Sequence, residues 1–135
     1  MDNTNLKLEP SLRVLIVDDY PDERETLRIL LAMSGYVVET AGGGAAAVVA
    51  ARAFRPDVVL MDLAMPGMDG YETARRIRLH PDLSRIAFVA FTGHGRPSDH
   101  RRSREEGFTG HVVKPADFRE IRAALNSAAA SAAET

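Results

Sequence analysis

Five short apolar runs, each followed by a segment of helical character, constrain the fold of this chain more than any other feature. Residues 12–17 (LRVLIV), 36–40 (YVVET), 58–61 (VVLM), 86–91 (IAFVAF) and 111–113 (HVV) are rich in β-branched or aromatic residues. They are too short for buried helices and read as strands. Between them, apolar residues recur at helical spacing. Residues 22–34 carry Leu27, Leu30, Leu31 and Met33, and 45–54 are alanine-rich. Residues 71–79 carry Ala74 and Ile77, 97–106 are polar, and 117–129 carry Phe118, Ile121, Ala124 and Leu125. Gly35 and Gly107 stand where helix C-caps belong, Pro56 stops the second helix, and Pro66, Gly67 and Gly70 break the loop LAMPGMDG.

Strand and helix thus alternate five times, which predicts an α/β domain with a parallel sheet and helices on both faces. Right-handed crossovers leave few topologies, and the flavodoxin-like doubly wound order 2-1-3-4-5 fits best. A chain of 135 residues holds one domain. Residues 1–11 are expected to be a flexible lead-in, 12–129 the domain, and 130–135 a tail that extends or frays the last helix. The net charge of -2 argues against an electrostatically driven nucleic-acid binder. With no cysteine, disulfides, thiolate metal sites and cysteine nucleophiles are excluded. The polar start MDNTNLKLEP lacks the apolar core of a signal peptide, and no stretch approaches the ~18 apolar residues of a membrane span. A cytoplasmic domain is expected. No large exposed apolar helix face is evident, so a monomer is expected too.

The chemistry lies in what ends the strands. Asp18 and Asp19 follow the first run, Asp62 the third, Thr92 the fourth and Lys114 the fifth. In an open parallel sheet, ligands bind outside the carboxyl ends of the strands, near the switch in strand order. Three carboxylates, a hydroxyl and an ammonium should therefore converge. The carboxylates repel one another, which should raise at least one pKa. Such an oxygen-rich set suits a hard cation, Mg2+ above all, and with Lys114 and Thr92 it supplies the parts that stabilise a transferring phosphoryl group. Singly, each residue has a plainer reading: Asp19 suits a helix N-cap, Thr92 a strand end and Lys114 a solvated charge. Their joint placement at four strand ends is what gives the set its meaning.

The segments VLIVDD, VVLMDLAMPGMDG, AFVAFTG and HVVKP occur in this order, and the chain from about Arg13 to Leu125 resembles the response-regulator receiver family. The resemblance implies that Asp62 is the phosphoryl acceptor. It implies that Asp18, Asp19, Asp62 and the backbone carbonyl of Ala64 hold Mg2+. Lys114 would pair with the phosphoryl oxygens, Thr92 would hydrogen-bond them, and the Lys114–Pro115 peptide would be cis. The donor would be a phosphohistidine of a histidine kinase or histidine phosphotransfer protein. The output would be a shift of the face formed by the fourth helix, fifth strand and last helix, read by a downstream protein target. Such a chain is a phosphorylatable switch, not an enzyme beyond assisting its own modification and reset.

Some positions depart from the family pattern. His111 stands where an aromatic switch residue is usual; it reads as a half-buried histidine with a routine hydrogen bond or as a source of pH sensitivity. The resemblance implies that the positions of Ala64 and His94 would tune water access to an acyl phosphate, and the small Gly93 suits close backbone approach. Gly42, Gly43 and Gly44 form a plain turn, since no Lys-Ser/Thr follows. Arg101, Arg102 and Arg104 read as a solvated helix face, His80 and His100 as surface residues, and Met61, Met65 and Met68 as packing. Two alternatives stand beside the phosphoswitch. One is an interaction module of the same fold that is never phosphorylated. The other is a phosphohydrolase or flavin-binding protein, against which the sequence Asp18-Asp19-Tyr20-Pro21-Asp22 argues.

Overall fold

A computed structural model describes residues 11–93 and 95–133. The strands are β1 (Arg13–Val17), β2 (Val37–Ala41), β3 (Val58–Asp62), β4 (Ala87–Thr92) and β5 (Gly110–Val113). The helices are α1 (Pro21–Met33), α2 (Gly44–Phe54), α3 (Gly70–Arg78), α4 (Pro97–Glu105) and α5 (Phe118–Ala133), with a 3-10 turn at Pro81–Leu83. All strands pair in parallel in the order β2-β1-β3-β4-β5, as the alternation of elements predicts. Most boundaries fall within a residue or so of the sequence expectation. Helix α5 continues through residues 130–133, where alanine, the best helix former, dominates.

Successive side chains of a strand point to opposite faces, and the central strands obey this strictly. Leu15, Val17, Val59, Met61, Phe88 and Ala90 pack on one face with Ala47 and Ala51 of α2 and Ala74 and Ile77 of α3. Val14, Ile16, Val58, Leu60, Val89 and Phe91 pack on the other with Leu27 and Leu31 of α1 and Ile121 and Leu125 of α5. Every residue of β3 and β4 is buried, so these strands read as continuous apolar runs rather than alternating ones. The polar helix α4 buries only Ser103. Helix α1 leaves Ile29, Leu30 and Met33 exposed. No helix among the described residues is long and apolar enough to cross a membrane.

Local chemistry fixes where the helices begin. Pro21 occupies the first turn of α1, where its missing N–H costs nothing, and Asp22 and Glu23 suit the positive end of the helix. Helix α1 ends at Gly35, whose φ of +99° would strain a residue with a Cβ. Helix α3 is capped by Asp69, which accepts the Glu72 N–H at 2.9 Å. Gly70 opens α3 against the end of β3: a Cβ there would stand 2.7 Å from the Asp62 carbonyl oxygen. That close approach seats the β3–α3 loop beside Asp62.

Candidate functional site

The carboxyl ends of β1, β3, β4 and β5 bring together the strand-end residues singled out by sequence. Asp18, Asp19 and Asp62 each offer a carboxylate oxygen, and these oxygens lie within 4.8 Å of one another. Asp18 and Asp62 are buried, at 1% and 7% exposure, while Asp19 is the more exposed member. Thr92 closes β4 and is buried at 1%. Lys114 follows β5, anchored by its N–H to the Thr92 carbonyl at 2.8 Å, and its peptide bond to Pro115 is cis.

The loops hold the carboxyls by one oxygen and leave the other for a ligand. Asp18 Oδ1 accepts the Tyr20 N–H at 2.9 Å, and Asp62 Oδ1 accepts the Ala64 N–H at 3.0 Å. The Lys114 ammonium lies 3.8 Å from Asp18 Oδ2 and 3.7 Å from Asp62 Oδ2. The N-cap of α1 is Tyr20, with no side-chain cap, so the capping role that Asp19 could have filled is absent. Asp19 therefore stays in the acidic group.

The electrostatics are those of a site short of positive charge. Burial, and then the adjacent Glu23 carboxyl, push Asp18 up to about 7 against the opposing Tyr20 N–H and Lys114. Burial likewise raises Asp62, countered by the Ala64 N–H and Lys114. Burial works against the charge on Lys114, but the bond to Glu23 and the Asp62 and Asp18 carboxylates outweigh it and hold the ammonium above its ordinary pKa. Two buried carboxyl oxygens, Asp18 Oδ2 and Glu23 Oε2, have no N–H donor facing them among the described residues except the Lys114 ammonium. A divalent cation among Asp18, Asp19 and Asp62 would supply the missing charge, and an all-oxygen donor set fits a hard ion.

Glu23 is the site residue that sequence reasoning missed. Its Oε2 lies 2.7 Å from the Lys114 ammonium, closer than either aspartate. An acid in the first turn of a helix is ordinary dipole chemistry, so nothing in the sequence marked it. Ala64 is exposed and contributes its N–H to Asp62. Gly93 is exposed beside Thr92, and His94 lies outside the described residues.

His111 sits away from the carboxylates, in register with Ala90 of β4. Its Nδ1 and the Ser103 Oγ of α4 are 2.9 Å apart, and its ring stacks on that of His100 at 3.9 Å and 18°. His111 is thus half-buried with Ser103 as a hydrogen-bond partner, and His100 is partly covered rather than a plain surface residue. Of the arginines of α4, Arg102 places its guanidinium 4.3 Å from the Tyr71 ring centroid. Met61 and Met65 are core residues.

The profile of the family described as "Response regulator receiver domain" matches residues 14–126. Protein PilH of Pseudomonas aeruginosa is 33% identical over 115 residues, which cover 85% of this chain and 95% of that protein. Virulence sensor protein BvgS of Bordetella pertussis is 37% identical over 135 residues, 96% of this chain but 11% of that much longer protein. Among solved structures, chemotaxis protein CheY4 of Vibrio cholerae superposes with a TM-score of 0.83 at 29% identity, covering 88% of this chain and 99% of that one. The receiver domain of sensor histidine kinase PA1611 of Pseudomonas aeruginosa, solved with magnesium coordinated in its active-site cleft, gives 0.79 at 27% identity, covering 90% and 99%. The acidic group at the strand ends is consistent with a phosphoaspartate site. Together with the profile match over residues 14–126, it makes this chain a member of the response regulator receiver domain family of two-component signalling, a phosphorylatable switch rather than a conventional enzyme.

Proposed function

We propose that Asp62 accepts a phosphoryl group from a phosphohistidine and that the chain signals through the contacts this changes. The observation that carries the reading is the Lys114 ammonium 3.7 Å from Asp62 Oδ2, beside an acidic group spanning 4.8 Å. Asp18, Asp19, Asp62 and the Ala64 carbonyl would hold Mg2+, which when bound neutralises charge on the phosphoryl oxygens. The magnesium-bound receiver of PA1611 supports this choice of ion.

The remaining work falls to the chain's own groups. The Ala64 N–H fixes Asp62 Oδ1, so Oδ2, on the Lys114 side, is the oxygen that attacks phosphorus. The new O–P bond forms as the P–N bond of the donor breaks, and the imidazole leaves with the electron pair. Lys114 then balances the negative charge of the phosphoryl oxygens, and the Thr92 hydroxyl donates a hydrogen bond to one of them. Movement of Thr92 would be read at the face formed by α4, β5 and α5, where Ser103 and His111 join helix to strand. The donor is a histidine kinase or histidine phosphotransfer protein, and the receiver of the signal is another protein.

The test is the intact mass after incubation with Mg2+ and acetyl phosphate, for wild type and Asp62→Ala. A single phosphoryl adduct on wild type alone supports the reading. No adduct from acetyl phosphate or from a phosphohistidine donor leaves a phosphorylation-independent interaction module as the function.

A further inference from the structure

Glu23 occupies the ammonium that the proposed chemistry needs. Its Oε2 is 2.7 Å from Lys114 Nζ, whereas Asp62 Oδ2 and Asp18 Oδ2 stand at 3.7 and 3.8 Å. We propose that Glu23 is a positioning residue, an internal counter-anion that holds Lys114 in the resting protein and must release it to the phosphoryl group on Asp62. The inference rests on the acceptor role proposed for Asp62.

Several features show that this contact is built into the fold. Glu23 sits in the first turn of α1, directly after Pro21. The next residue clamps that turn: the Arg24 N–H donates to the Tyr20 carbonyl at 3.0 Å, and Arg24 Nη1 donates to the Asp18 carbonyl at 2.8 Å. Glu23 Oε2 is buried, although its residue is only half covered. It faces a cleft between α1 and the start of α5 walled by Leu27, Pro115 and Phe118, and an apolar wall strengthens an ion pair beside it. Glu23 is also not a member of the group of carboxylates within 4.8 Å, which is Asp18, Asp19 and Asp62. Its carboxyl also stands beside that of Asp18, but its 2.7 Å contact is with the ammonium.

The consequence is a competition. The Lys114 ammonium is already drawn to 2.7 Å from the Glu23 carboxylate, so an incoming phosphoryl oxygen competes with that carboxylate for its position and charge. The carboxylate also adds negative potential, which favours a cation in the site and opposes an anion. Removing its charge should shift the two in opposite directions. A side chain that merely props the site would weaken both when removed.

The test measures two equilibria by calorimetry on the full chain, for wild type, Glu23→Gln and Glu23→Ala. The first is Mg2+ binding alone. The second is binding of beryllofluoride, a phosphoryl stand-in, at saturating Mg2+, cross-checked by 19F NMR. The expected result is beryllofluoride binding about tenfold tighter in both variants and Mg2+ binding several-fold weaker. Unchanged affinities overturn the proposal, as does a loss of both in variants whose thermal melts show an intact fold. Absence of beryllofluoride binding in wild type and variants alike is a different failure: it removes the acceptor role of Asp62, and the proposal for Glu23 goes with it.

Discussion

The Lys114 ammonium stands 3.7 Å from Asp62 Oδ2, inside ion-pair range and beyond hydrogen-bond range. The two groups attract without closing on each other, and a phosphoryl oxygen bonded to Asp62 would come within reach of the ammonium. Lys114→Met removes the charge and keeps the chain length. Its adduct formation with acetyl phosphate should slow about 100-fold, the usual cost of losing one charge-stabilising donor at a reacting centre. A time course by intact mass checks it, and an unchanged rate would take Lys114 out of the chemistry.

Asp18 makes stability and metal binding depend on pH. Its folded pKa of about 7 lies above that of an exposed aspartate, so the native state binds this proton more tightly than the unfolded chain does. The stability it contributes is complete below pH ~4 and is lost as pH rises through about 7. Asp62, also raised, acts in the same direction. The advantage of Asp18→Asn over wild type, without metal, should therefore grow from pH 5 to pH 8. Mg2+ competes with the same protons, so its affinity for wild type should rise over that interval. Thermal melts and Mg2+ titrations at the two pH values test both, and a pH-independent Mg2+ affinity would contradict the account.

Crowded carboxylates also predict a trade of stability for function. Asp62→Asn keeps the Oδ1 acceptor for the Ala64 N–H and removes one charge from the cluster. The metal-free variant should be more stable than wild type by about 1 kcal/mol at pH 8. Urea unfolding measures it, and a destabilised variant would mean that the Asp62 charge is satisfied as it stands.

Gly70 is required by space. An added Cβ would meet backbone, 2.7 Å from the Asp62 carbonyl oxygen and 2.9 Å from Leu63 Cα, neither of which is free to swing aside. Gly70→Ala should cost about 1–3 kcal/mol and should also slow Mg2+-dependent adduct formation, because the loop that fixes Asp62 must move. A variant with wild-type stability and rate would show that this packing is looser than described.

What could be read from sequence follows from which forces are local in the chain. A strand buried on both faces must be an apolar run, so Asp18, Asp62, Thr92 and Lys114 stood out as the polar residues that end such runs. Five alternations of element type then restricted the sheet order. Glu23 was invisible because two unrelated demands, the helix dipole and the Lys114 ammonium, call for the same residue type at that place. The stacking of His100 on His111 depends on how a weakly packed α4 lies against β5, which no periodicity encodes. The continuation of α5 to Ala133 follows the alanine propensity of the tail, which left extension and fraying both open in the sequence.

The central claim is that the phosphoryl group resides on Asp62. Borohydride reduces an aspartyl phosphate to homoserine, so the acceptor is located by reducing the Mg2+ and acetyl phosphate reaction product and mapping its peptides by mass spectrometry. The account predicts homoserine at position 62 and nowhere else, dependent on Mg2+. Homoserine at position 18 or 19, or an unreduced chain that nonetheless carries phosphate elsewhere, would contradict it.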